Sequence, residues 1–425
     1  MKIFMKSFIV VLLLLPLEAM AVESSLTVDQ AVEIALKGNP SYAQIQARYK
    51  AMQDIPSQVG SLPDPTISLN GMNLPANDFD TKQEAMTQLQ FGISQAIPFP
   101  GKLSLKEKAA EFEAAAGLDN VYELRLRLKQ QVTSSWWELY YIERSLDVIE
   151  ANLSLLRQFV KIAETKYKVG DGLQQDVLLA QLELSKLLEQ EISVKNLRKN
   201  EMASLNTLMG ENANKQITIS KSVDKTLAPI APVEALIEEA KEKNPLLKKD
   251  DNLIKAAQSR LALAEKEYYP DFKVGVNYGD RSGNNPNGSR RDDVVSLMFN
   301  ISVPLYASSK QDKGVSQRKN ELSQREYSRQ DTHNAIESRI VSLSSDYSKS
   351  RDLFKLFDTG IIPQAQQTVD SMLSGYKVSE VDFLNLVRSQ ITLLNYQIRY
   401  WRTLSQGKQF QAKLDEITVG ENPYE

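Results

Sequence analysis

Side chains suited to chemistry are scarce in this chain. It holds one histidine, His333, and no cysteine, so a zinc site built from His and Cys lacks its ligands. A Ser-His-Asp arrangement would have to centre on His333, which sits in a charged helical stretch and reads as a solvated helix residue. The acidic pair Asp292-Asp293 falls in a polar loop, where two carboxylates are simply hydrated. No glycine loop of the phosphate-cradling kind occurs, and the ten methionines are scattered with no Met-x-x-Met cluster. The expectation is a protein without catalytic residues, cofactor or resident metal.

Export is written at the start. Lys2 and Lys6 precede the apolar run Phe8 to Leu17, and Ala19-Met20-Ala21 is a small-x-small cleavage site, so residues 1–21 read as a signal peptide. Removing Lys2, Lys6 and Glu18 takes the formal charge from −3 to about −4, which excludes the basic excess of a nucleic-acid binder. The absence of cysteine excludes disulfides and a lipidated N-terminal Cys, so packing alone must hold the chain.

The elements come in two copies. Asn39-Pro40 is answered by Asn244-Pro245 at an offset of 205, Phe91-Gly92-Ile93-Ser94 by Phe299-Asn300-Ile301-Ser302 at 208, and Tyr167-Lys168-Val169 by Tyr376-Lys377-Val378 at 209. Lys102 likewise answers Lys310. So small a drift marks a duplication. The expected boundaries are a first repeat at 22–209, a linker at 210–232 and a second repeat at 233–425. Each repeat reads as short helices, two strands and a long helical hairpin. The strands fall at about 66–72 and 87–97, then 272–279 and 294–303. The helices fall at about 102–168 and 174–209, then 310–376 and 382–413. Lys102 to Val169 has no proline and only Gly117 as glycine, room for one helix of about 100 Å. Its counterpart should kink at Gly360-Ile361-Ile362-Pro363. Leu173, Val177, Ala180, Leu184, Leu187 and Val194, broken by Glu191, form a coiled-coil stripe; Val387, Ile391, Leu394, Ile398 and Trp401 form the second.

The strands alternate. Leu89, Phe91, Ile93 and Ile97 share one face, Val295, Leu297, Phe299, Ile301 and Val303 another, with Val274 and Val276 on a partner strand. Lengths of about 8 to 11 residues suit tilted membrane strands whose apolar side meets lipid. The long polar loops Asn73–Ala85 and Asp280–Asp293 suit the outside. Four strands cannot close a barrel that hides its edges, so several chains must share one.

From Thr27 to about Lys413 the sequence resembles the TolC-type outer-membrane efflux channels. Leu62-Pro63-Asp64-Pro65, the run Ile93 to Lys102, Ile362-Pro363-Gln364-Ala365 and Val381-Asp382-Phe383-Leu384 resemble its CusC/CzcC-like heavy-metal branch. The resemblance implies a homotrimer with a twelve-stranded barrel on a long α-helical periplasmic tunnel, serving a periplasmic adaptor and a proton-driven RND-type inner-membrane pump. It places adaptor docking at the turns, through Val169, Gly170 and Leu173 and through Val378, Ser379 and Val381. It places an aperture at Tyr167, Asp176, Tyr376 and Asn385; the family's second-half Arg and further Asp are replaced by Val381 and Arg388. The expected activity is passive export of heavy-metal cations, with drug efflux or type I secretion as the alternative cargo. A soluble periplasmic coiled-coil adaptor is the rival class, disfavoured by the two hairpins and the missing lipoyl-like segments.

Overall fold

The computed structural model describes residues 25–418; the signal peptide lies outside them. In chain order the elements are α1 (Val28–Gly38), α2 (Pro40–Gln53), α3 (Ile55–Gly60), β1 (Thr66–Met72), β2 (Gln88–Ile97), α4 (Lys102–Lys168) and α5 (Gln174–Leu208). The second series is α6 (Val233–Lys243), α7 (Pro245–Lys266), β3 (Phe272–Asp280), β4 (Val294–Ile301), α8 (Gln311–Leu356), α9 (Ile362–Lys377) and α10 (Phe383–Thr418).

The 67-residue α4 is the spine. With no proline inside it, nothing removes a ladder hydrogen bond, and its one glycine is a site of close approach. A Cβ at Gly117 would lie 3.0 Å from Met52 Sδ of α2. Packing supplies the stability that propensity cannot give so long a helix. Near the middle, Trp136, Trp137 and Tyr140 gather Leu205, Leu404 and Ala31 into one core. Trp136 is 1% exposed, and its indole N–H donates to Leu26 O at 3.1 Å. Further along, Ile149, Leu153, Leu156 and Phe159 sit with Leu187 of α5 and with Phe383, Leu386 and Val387 of α10. Inside that apolar seam Gln390 Nε2 donates to Asn152 Oδ1 at 2.6 Å, a buried polar pair of the type that fixes helix register.

The second long helix is interrupted before Pro363 rather than at it. Phe357–Ile361 form one π turn, from which α9 departs. A proline inside a helix clashes with the carbonyl four residues back, and the extra residue of a π turn widens the ladder there. Two strand ends also fall short of the alternation. β4 stops at Ile301, leaving Val303 beyond it, since Pro304 has no N–H to extend the ladder. β2 begins at Gln88, because the Thr87 hydroxyl turns to donate to Asn73 O at 2.7 Å.

All four strands form one antiparallel sheet in the order β1-β2-β3-β4. No helix packs across either of its faces among the described residues.

Candidate functional sites at the two ends of the spine

At the Lys102 end of α4 stands the sheet. Its register sets Ile67 beside Ile93, Ile93 beside Val276 and Val276 beside Leu297, while Leu69, Phe91, Tyr278 and Val295 make the next row. The expected positions Leu89, Phe91, Ile93, Val274, Val276, Leu297, Phe299 and Ile301 therefore share one face, and every one is exposed; Leu297 reaches 86%. Gln95 interrupts the apolar row, and its amide turns to donate to Pro63 O at 2.6 Å. The opposite face carries Ser68, Asn70, Gln88, Gln90, Ser94, Asn277, Ser296 and Asn300. Gly92, Gly275 and Gly279 also lie on it, and a Cβ at Gly92 would fall 2.0 Å from Asn277 Oδ1 and 2.6 Å from Ser68 Oγ. Side chains converge on the polar face, so the sheet curls toward it, with glycines where the concave side is tightest. Both outer edges, those of β1 and β4, are unpaired in the chain.

Two arginines that the sequence did not single out tie the hairpin loops together. Arg281 Nη2 donates to Ala85 O at 2.7 Å, and the buried Arg291 donates through Nη1 to Glu84 O at 2.8 Å.

At the far end of α4 two turns sit side by side with the same backbone. Gly170 takes φ +79° after Val169; its N–H donates to Tyr167 O at 3.1 Å, and the next N–H, of Asp171, to Lys166 O at 2.9 Å. Ser379 takes φ +63°; its N–H donates to Tyr376 O at 3.2 Å, and that of Glu380 to Gly375 O at 2.9 Å. Both are Schellman caps. Val169, Leu173 and Val378 are exposed, a Cβ at Gly170 would meet nothing within 4 Å, and Val381 folds back over Gly375.

The four aperture positions divide. Tyr167 and Asn385 are exposed, whereas Tyr376 is 4% exposed and packs on Phe383 at 5.1 Å. Its hydroxyl is pushed up to about 12 by burial and by the nearby charges of Asp176 and Asp171. Burial, with Asp382 close by, raises the Asp176 carboxyl above its ordinary value. Asp176 thus lies electrostatically beside Tyr376 of the other hairpin.

The residue that joins the turns is Lys166, which sequence reasoning passed over. Its ammonium donates to Ser379 Oγ at 2.6 Å, pairs with Asp171 Oδ2 at 3.3 Å and stands 5.0 Å from the Tyr376 ring centroid. Ser379 Oγ in turn donates to Asp171 at 3.1 Å. The hydrogen bond from Lys166 holds the Asp171 carboxyl below its usual range. Lysine one residue before a repeated Tyr has no sequence signature, and its partner is 213 positions away.

Residues 31–211 match the family model described as outer membrane efflux protein. The chain carries that match along its first repeat. It is an outer-membrane channel of the TolC type that spans into the periplasm. The chain is 21% identical over 348 residues to the cobalt-zinc-cadmium resistance protein CzcC of Cupriavidus metallidurans, covering 80% of this chain and 78% of that one. It is also 21% identical over 277 residues to the outer membrane protein TolC of Vibrio cholerae, covering 64% and 63%. A solved structure of CusC superposes with a TM-score of 0.79 at 13% identity, over 93% of this chain and 92% of that one. The family is one of passive channels of efflux systems. Among the described residues no helix is long and apolar enough to cross a membrane.

Proposed function

We propose that three copies pool their sheets into a twelve-stranded barrel in the outer membrane, and that the helices continue it as a tunnel through which an adaptor and an RND-type inner-membrane pump export heavy-metal cations. The observation that carries the barrel is a sheet with an exposed apolar face, a polar face on which side chains crowd its glycines, and two unpaired edges. Unpaired backbone groups cost several kcal/mol each in hydrocarbon, so a lipid-embedded sheet of this kind must pair its edges with other copies. The polar face becomes the lumen and the apolar face meets lipid. The exposed turns Val169 to Leu173 and Val378 to Val381 are the surfaces offered to the adaptor, and Asp176 and Tyr376 flank the aperture.

The metal cargo is supported by the similarity to CzcC and by the short motifs of that branch. A test compares cells with and without the gene. Selective sensitivity to cobalt, zinc, cadmium, copper or silver supports metal export, whereas selective sensitivity to dyes and antibiotics assigns the duct to drug efflux instead. Heat-modifiable trimer migration of the outer-membrane fraction tests the assembly, and recovery from the soluble periplasm would sink it.

A further inference from the structure

The internal repeat makes one junction visible inside the chain and leaves its twin open. Where β2 runs into α4 and α7 runs into β3, Lys102 is buried. Its Nζ bonds Asp271 Oδ1 at 2.9 Å, Tyr269 O at 3.2 Å and Glu267 Oε2 at 3.3 Å. Asp271 Oδ1 also accepts the Phe99 N–H at 2.7 Å, and the rings of Phe99 and Tyr269 stack with centroids 4.5 Å apart. This cluster staples the end of β2 in the first repeat to the start of β3 in the second, beneath the β2–β3 seam.

The repeat supplies the same parts at the two outer edges. Ser302 to Lys310 has the spacing of Ser94 to Lys102, and Leu62-Pro63-Asp64 matches Tyr269-Pro270-Asp271. Lys310 follows β4 and Asp64 precedes β1, the two strands whose edges are free. Both side chains are exposed, and neither has an ion-pair partner among the described residues. Beside them Leu62, Leu305 and Tyr306 are 54%, 78% and 75% exposed; Leu62 is the counterpart of Tyr269, which at the first junction stacks on Phe99. A lysine, an aspartate and apolar neighbours are displayed at opposite ends of one sheet, and each half lacks what the other offers.

We infer that Lys310 of one copy pairs with Asp64 of the adjacent copy beneath a β4–β1 seam, so that each contact between copies repeats the Lys102–Asp271 junction inside the chain. The occupant of each edge is therefore a second copy of this chain, oriented as the second repeat is to the first. The sheet ladder sets Thr66 opposite Ser94, while Asp271 bonds Ser302. Asp64 therefore stands two residues, about 7 Å, further from the sheet than Asp271 does. The contact between copies is accordingly longer than the Lys102–Asp271 bond, a charge pairing across the seam between exposed side chains rather than a buried staple.

The inference rests on the shared-barrel reading, and the test keeps the two apart. The chain has no cysteine, so Asp64→Cys with Lys310→Cys introduces the only thiols. Side chains that meet at lysine reach are too far apart for a direct disulfide, and a short bismaleimide is used on outer membranes instead. The expected result is a covalent trimer on denaturing gels from the double variant and monomer from each single variant. In parallel, Lys310→Asp and Asp64→Lys should each lower the temperature at which the trimer dissociates, and the two together should restore it. Native trimers that yield neither cross-link nor charge-swap rescue would overturn the Lys310–Asp64 pairing while leaving the barrel standing. Monomers on native gels of the unmodified protein would overturn both.

Discussion

Lys166, Asp171 and Ser379 hold the two turns together through contacts that cross hairpins, and the shift of the Asp171 carboxyl has opposite sign to that of Asp176 nearby. Asp171 is held below the ordinary carboxylate value by Lys166 and Ser379. Its contribution is complete above the unfolded value near about 4 and is lost as pH falls through the lower folded value. Asp176 is raised by burial, so the folded tip takes up its proton first, and stability there falls as pH rises from the unfolded value through the raised one. Thermal melting between pH 7 and about pH 3 should show Asp176→Asn flattening the less acidic part of the profile and Asp171→Asn flattening the most acidic part. Ser379 offers a separate check. A non-glycine residue in the left-handed region costs about 1–2 kcal/mol, while an exposed hydroxyl hydrogen bond returns about 0.5–1.5 kcal/mol. Ser379→Gly should thus be nearly neutral and Ser379→Ala destabilising, since it keeps the strain and loses the bond; equal melting temperatures would show that the bond to Lys166 contributes nothing. The turn glycines and the repeated tyrosines were legible in the sequence because they obey local rules. Lys166 was not, because its role depends on an approach between hairpins that no local pattern encodes.

At the scale of elements, alternation sorted the strand residues onto their two faces, because a period of two assigns a face without knowledge of the partner strand. The curvature was hidden. Gly92, Gly275 and Gly279 look like weak points in strands until the register sets Asn277 and Ser68 over Gly92. The π turn at Phe357–Ile361 was half legible, since Pro363 announces an interruption but not the form it takes. The faces should differ sharply under substitution. Leu297→Arg or Phe299→Arg puts a charge against lipid at about 2–4 kcal/mol near the bilayer midplane and should abolish trimers in the outer-membrane fraction. Ser296→Arg or Asn300→Arg should assemble and change single-channel conductance. Gly92→Val belongs to the polar face yet should fail to assemble, because its side chain collides with neighbours that curvature brings together. Tolerance of Leu297→Arg, or failure of Ser296→Arg alone, would reverse the assignment of lipid and lumen.

The molecule as a whole is a duplication whose two copies differ at the turns. The repeat made the architecture legible, since two strands and one hairpin per copy must be closed by something outside the chain. The exchange of Asp176 for the neutral Asn385 is plain in the sequence, but the repeat could not show that Tyr376 is buried while its mate Tyr167 is exposed. On the proposed threefold assembly three copies of Asp176 would approach one axis, and like charges so placed would build a negative potential that attracts cations. At this pair of positions only the first copy is acidic, with Asp382 close by it. Asp176→Ala should weaken block by a trivalent cation added from the periplasmic side of a planar bilayer, and resting conductance should rise only modestly because Lys166 still holds the turns. Asn385→Asp, which restores the acid its repeat mate carries, should strengthen the block. The pair of variants separates charge from structure: a loosened tip would raise conductance in both, whereas an electrostatic aperture moves the block in opposite directions. Unchanged block in both would place the narrowest point of the duct away from these turns.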